Sequence, residues 1–132
     1  MIKKVTPILI VNEIEPSLRL WVDRLGFQKV VEVPEGDRLG FVILAGEGIE
    51  LMYQTRESVE NEVKHDGLPA TMKPAPGRSV LYIDVADLGE LREKVAGFEV
   101  ILPDRKTSYG ARELWLVEPG GHLVAFAVSQ QG

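Results

Sequence analysis

The carboxylate of Glu50, set in strand-like surroundings, is the polar side chain of this chain best placed to do chemistry. Glu50 stands in Gly-Ile-Glu-Leu-Met-Tyr (Gly48–Tyr53) and Glu113 in Ala-Arg-Glu-Leu-Trp-Leu-Val (Ala111–Val117). A carboxylate on an apolar wall can anchor a cation, or serve as a general base if burial raises its pKa; facing open water it does neither. Side chains alternate along a strand, so Glu50, Met52 and Gln54 share one face, as do Thr6, Ile8 and Ile10 on an earlier strand. Val80, Tyr82 and Asp84 align in the same way, and so do Ala125 and Ala127. Glu113 and Trp115 share a face opposite Arg112 and Leu114, but alternation alone leaves open which face points inward. Trp115 suits either stacking on a planar ligand or ordinary core, whereas Trp21 falls in a helical stripe and is core. Tyr109 precedes Gly110 in a loop. The candidate ligand-binding set is therefore Glu50, Met52, Tyr82, Tyr109, Glu113 and Trp115, with no catalytic residue assigned. His65, in a linker, and His122, after a turn, are expected to face solvent.

Composition bounds the rest. At 132 residues the chain can form one domain with a core, or two half-size modules sharing one. Fifteen Lys and Arg against 20 Asp and Glu give a net charge of −5, which disfavours nucleic acid as a partner. No apolar run is long enough to span a membrane, and the start lacks an apolar signal region. Zero cysteines exclude disulfides, thiolate catalysis and cysteine-ligated metals. A cytoplasmic location follows as the expectation.

The elements that must position these residues come as a repeat. Thr6–Val11 reads as a strand, and Pro16 suits the first turn of a helix. Leu18, Trp21, Val22 and Leu25 then form an apolar stripe up to Gly26. Strands are expected at Phe27–Val33, Leu39–Leu44 and Ile49–Gln54. The same order recurs as Val80–Val85, a shorter helix capped by Asp87 and Glu90, then Phe98–Leu102, Glu113–Val117 and Leu123–Val128. Matching the copies pairs Val11 with Val85 and Glu50 with Ala125. Modules of this size cannot bury an apolar face alone and must pack on a copy. One domain over 1–132 is expected, with module one at about 4–55 and module two at about 78–130. Arg56–Gly77, charged and then rich in Gly and Pro, reads as a linker with one helical turn.

Several stretches resemble the vicinal oxygen chelate superfamily, which includes glyoxalase I, extradiol dioxygenases, and fosfomycin- and bleomycin-resistance proteins. They are Leu-Trp-Val-Asp-Arg-Leu-Gly-Phe (Leu20–Phe27), Gly-Ile-Glu-Leu (Gly48–Leu51) and Tyr109–Phe126. The helix ending and the Tyr-Gly-Ala-Arg-Glu stretch are most similar to the bleomycin-resistance branch. The resemblance implies an α+β fold of two tandem βαβββ modules, a cup-shaped mixed sheet with helices on its outer face. It also implies a homodimer. Enzymes of the superfamily hold one divalent ion with two side chains per module, and those places map onto Thr6, Glu50, Val80 and Ala125. Only Glu50 is a competent ligand there, and neighbouring Ser79, Leu81, Val124 and Phe126 do no better. The expectation is therefore no metal and no cofactor. Function is expected to be metal-free capture of a small planar or cationic molecule, as in bleomycin resistance. The alternative is a lyase, isomerase or dioxygenase-like enzyme, metal-independent or, less favoured, metal-dependent.

Overall fold

The computed structural model describes residues 1–129; Gln130, the expected last residue of module two, lies outside the described residues. The chain forms two compact units, Met1–Gly77 and Arg78 onward. The first contains β1 (Ile8–Val11), α1 (Glu15–Leu18) running into a π-helical segment at Arg19–Arg24, then β2 (Gln28–Glu35), β3 (Arg38–Gly46), β4 (Ile49–Thr55) and α2 (Arg56–His65). The second contains β5 (Val80–Asp84), α3 (Leu88–Lys94), β6 (Glu99–Lys106), β7 (Ala111–Val117) and β8 (Leu123–Ser129). Each unit carries one four-stranded mixed sheet, ordered β1-β4-β3-β2 and β5-β8-β7-β6. The outer pairs β1–β4 and β5–β8 are parallel and the remaining pairs antiparallel. This is the βαβββ order expected from the repeat.

Within each unit one sheet face is sealed and the other left open. In the first unit Leu9, Val11, Val42, Leu44, Leu51 and Tyr53 are buried, together with Ile14, Leu20 and Trp21 from the helical stretch. The Trp21 indole N–H donates to the Tyr53 hydroxyl at 2.8 Å, which gives the polar end of a buried indole its partner. In the second unit Leu114, Leu116, Val124 and Phe126 are buried with Leu91 and Val95 from the α3 region. The alternate residues, Ile8, Val31 and Val33 in one unit and Val80, Tyr82 and Leu102 in the other, stay substantially exposed.

Two elements depart from the sequence expectation. The buried helix positions are Ser17, Leu20 and Trp21, with Leu18, Val22 and Leu25 only partly covered. The cause is the π segment, where the Leu25 N–H reaches the carbonyl of Leu20 and the widened turn shifts the phase of a 3.6-residue stripe. The expected linker also holds a ten-residue helix, α2, followed by a short 3₁₀ turn at Ala70–Met72. Thr55 caps α2 by accepting the Ser58 N–H at 3.1 Å. Glu57 in the first turn and Lys64 and His65 in the last complement the helix dipole.

The ladders also correct the internal matching. Ile8 pairs with Met52 in the first unit and Tyr82 with Ala125 in the second. With Val11 equated to Val85, Ala125 therefore corresponds to Met52, and the counterpart of Glu50 is Leu123, two residues earlier than the sequence match placed it.

Candidate functional site

The second unit gathers three of the sequence candidates, Tyr82, Tyr109 and Trp115, around a fourth, the Glu113 carboxylate. Glu113 lies on β7 with Trp115 two residues on, and the ladder runs from Trp115 through Ala125 on β8 to Tyr82 on β5. All of these point to the open face. Glu113 is nonetheless 0% exposed, because the aromatic side chains close over it. Its Oε2 accepts from the Tyr82 hydroxyl at 2.5 Å and the Tyr109 hydroxyl at 2.9 Å. Its Oε1 accepts from the Trp115 indole N–H at 2.8 Å and from the Arg105 guanidinium at 3.1 Å. Tyr82 and Tyr109 themselves remain 49% and 68% exposed, so their rings face outward while their hydroxyls are tied in.

Local structure explains how each donor arrives. Tyr109 sits in a hairpin turn locked by Thr107, whose hydroxyl accepts the Ala111 N–H at 2.9 Å and whose own N–H reaches the Ala111 carbonyl. Gly110 adopts φ 87°, a left-handed conformation that glycine takes without strain. Arg105 is the site residue that sequence reasoning missed. The strand was expected to end at Leu102, whereas β6 continues to Lys106. Leu102 pairs with Trp115 and Arg105 with Glu113, so three steps on β6 match two on β7. That bulge turns Arg105 onto a face that strict alternation denies it.

The electrostatics follow from this packing. Burial pushes the Glu113 carboxyl up, but the hydrogen bonds from Trp115, Tyr82 and Tyr109 and the charge of Arg105 outweigh it and hold the group below its ordinary value. The Tyr82 hydroxyl is held well above the ordinary phenol value, first by its bond to Glu113 and then by burial. Glu113 is thus a fixed anion with its lone pairs occupied, a poor proton acceptor and a good organiser of aromatic rings.

The other two candidates, Glu50 and Met52, belong to the first unit. Glu50 is part-exposed and already partnered, with the Lys4 ammonium at 3.0 Å and the Thr6 hydroxyl donating at 3.3 Å. Its carboxylate is thus shared between a surface ammonium and a hydroxyl. Met52 lies on the open face beside Ile8 and Ile43. The histidine expectation holds for His65, which is exposed, and fails for His122. His122 is buried, its Nδ1 accepts the Ser79 N–H at 2.9 Å and its own N–H donates to Glu118 at 2.8 Å. It ties the start of β5 to the turn before β8. Trp115 is only partly buried on the open face, so it is not ordinary core.

A model of the glyoxalase/bleomycin resistance protein/dioxygenase superfamily matches residues 2–126. The chain belongs to that superfamily. No curated protein sequence matches. Among solved structures, TioX from Micromonospora sp. ML1 is similar at TM-score 0.72 and 19% identity, over 96% of this chain and 98% of that one. A lactoylglutathione lyase from Agrobacterium tumefaciens reaches TM-score 0.76 at 13% identity, over 96% of this chain and 94% of that one. A glyoxalase/bleomycin resistance protein/dioxygenase from Nocardioides gives TM-score 0.69 and 20% identity over all of this chain and 87% of that one. At such identities the likeness is one of fold.

The superfamily's divalent ion does not fit the donors present. The first unit offers Thr6 and Glu50, already joined to each other and to Lys4. The second offers hydrocarbon at Val80 and Ala125, and still hydrocarbon at Leu123 when the ladder register is followed. No group of three or more His, Cys, Asp or Glu that could hold a metal occurs among the described residues. No helix among them is long and apolar enough to cross a membrane.

Proposed function

We propose that this chain is a metal-independent small-molecule binding protein that captures a planar ligand on the aromatic wall of Tyr82, Tyr109 and Trp115. The observation that carries this reading is the Glu113 carboxylate, which accepts from all three aromatic side chains and from Arg105. A buried anion spent on orienting rings serves recognition better than proton transfer. Preorganised rings bind flat molecules at low entropic cost, and offset stacking adds about 0.5–1.5 kcal/mol per pair beyond burial. Arg105 balances the charge of Glu113 at this wall, which favours planarity over cationic charge as the ligand's main requirement. A homodimer and a cytoplasmic location belong to the same reading.

Intrinsic fluorescence tests it, since the chain has two tryptophans and Trp21 is fully buried, leaving Trp115 as the responsive one. Titration with bleomycin and a series of fused-ring aromatics is expected to give saturable quenching. Tyr109→Ala is expected to weaken binding roughly tenfold, the upper end of one stacking contact. Tyr109→Phe, which keeps the ring, is expected to lose less. No saturable quenching by any planar compound, or affinity indifferent to Tyr109→Ala, would sink the proposal.

A further inference from the structure

We infer that the planar ligand of the second unit is an acid: an aromatic carboxylate whose ring lies on Trp115 and Tyr109 and whose anionic end is held by the Arg105 guanidinium. The inference rests on the planar-ligand reading and adds to it the ligand's charge and the residue that reads it.

Three observations point to Arg105. The first is how little of its donor capacity the protein uses. A guanidinium carries N–H groups on three nitrogens, and here Nη1 alone is engaged, reaching Glu113 Oε1 at 3.1 Å. Among the described residues no other acceptor meets it, and the side chain is 49% exposed. Arg105 is thus anchored on one side and free along its outer edge. The second observation is its place at the rings. It shares Oε1 with the Trp115 indole N–H, which donates at 2.8 Å, so the cation stands at the polar edge of the indole. The third is that, among the described residues, Arg105 is the one cation that the second sheet carries on its open face. Lys106 and Arg112 pair on the opposite face, and Arg112 is held by Asp104 at 2.8 Å. Only the bulge in β6 brings a cation across.

A guanidinium edge matches a carboxylate bidentately, and charge-assisted pairs of this kind are the strong ones. Glu113 does not cancel the attraction, because a carboxylate on the outer edge lies nearer the guanidinium than it does to Glu113. The other acids of this face are remote. Asp84 is separated from Arg105 by β8 and β7, and Glu99 stands at the other end of β6. A cationic head meets the opposite case, since Arg105 repels it and Glu113 is sealed from it. Exposed Leu102, paired with Trp115, extends the apolar surface available to the ring.

The test is calorimetric titration of the full chain with three probes of one shape: naphthalene-2-carboxylate, neutral naphthalene-2-carboxamide and cationic naphthalene-2-amidinium. The Trp115 indole N–H signal in NMR places each probe. The carboxylate is expected to bind about tenfold tighter than the carboxamide, with the amidinium weakest. Salt at about 0.5 M should lower the affinity of the carboxylate and leave that of the carboxamide unchanged. Arg105→Gln is expected to bring the ratio of carboxylate to carboxamide affinity to about one. Arg105→Lys keeps a charge beside Glu113 but loses the fork, and should leave a ratio of about three. If Arg105 served only to hold the wall together, both probes would weaken alike in the variants and the ratio would stay, which would overturn the inference. Equal affinity for carboxylate and carboxamide in the parent, or preference for the amidinium, would overturn it and leave the planar-ligand reading standing. Binding of none of the three would overturn both.

Discussion

Four hydrogen bonds on one carboxylate make Glu113 the residue most sensitive to replacement. Glu113→Gln removes the charge that Arg105 balances and sets an N–H₂ where four groups now donate, so we expect a loss of about 2–3 kcal/mol near neutral pH. The folded pKa is depressed, so the ionised group contributes stability above the ordinary carboxylate value, and this is lost as pH falls through the lower folded value. The gap between the parent and Glu113→Gln should therefore close in acid, and urea unfolding across that range measures it. The sequence named Glu113, Tyr82, Tyr109 and Trp115 singly, because strand alternation and a loop glycine make each visible. It could not show that they converge, since the convergence depends on pairing across β5, β8, β7 and β6. Arg105 was hidden by the bulge, and His122 by partners 43 residues away and in the preceding turn.

At the level of elements, α3 was legible and α2 was not. Asp87 and Glu90 announce α3, and the Asp87 carboxylate does accept the Glu90 N–H at 3.0 Å. Helix α2 is polar nearly all round, with Val63 its one buried large apolar residue, so no stripe marks it. The usable signal was Thr55 as a cap, with acid at the start and base at the end. Because its apolar anchoring is slight, α2 should depend on that cap. Thr55→Ala is expected to cost about 1 kcal/mol. Faster hydrogen exchange in Glu57–Val63, with β1 and β4 unchanged, would show that the effect stays local.

At the level of the whole chain, each unit shows solvent a sheet face bearing large apolar side chains, Ile8, Val31 and Val33 in one and Val80, Tyr82 and Leu102 in the other. Such surface is costly to leave wet. We expect sedimentation to give a dimer at micromolar concentration; a monomer there would remove the homodimer from the proposal. The repeat was legible because helix-covered positions have kept their character, and the ladders show how far. Leu9 matches Ile83, Val42 matches Leu114, Leu44 matches Leu116, Leu51 matches Val124 and Tyr53 matches Phe126. On the opposite face the matches read Ile8 with Tyr82, Phe41 with Glu113, Ile43 with Trp115, Gln54 with Ala127 and Val33 with Arg105. Every second residue thus keeps an apolar character in both units, while its neighbours differ in chemistry. A strand divided this way lets a lineage rewrite what it recognises, one alternate position at a time, and leave untouched what it needs to fold.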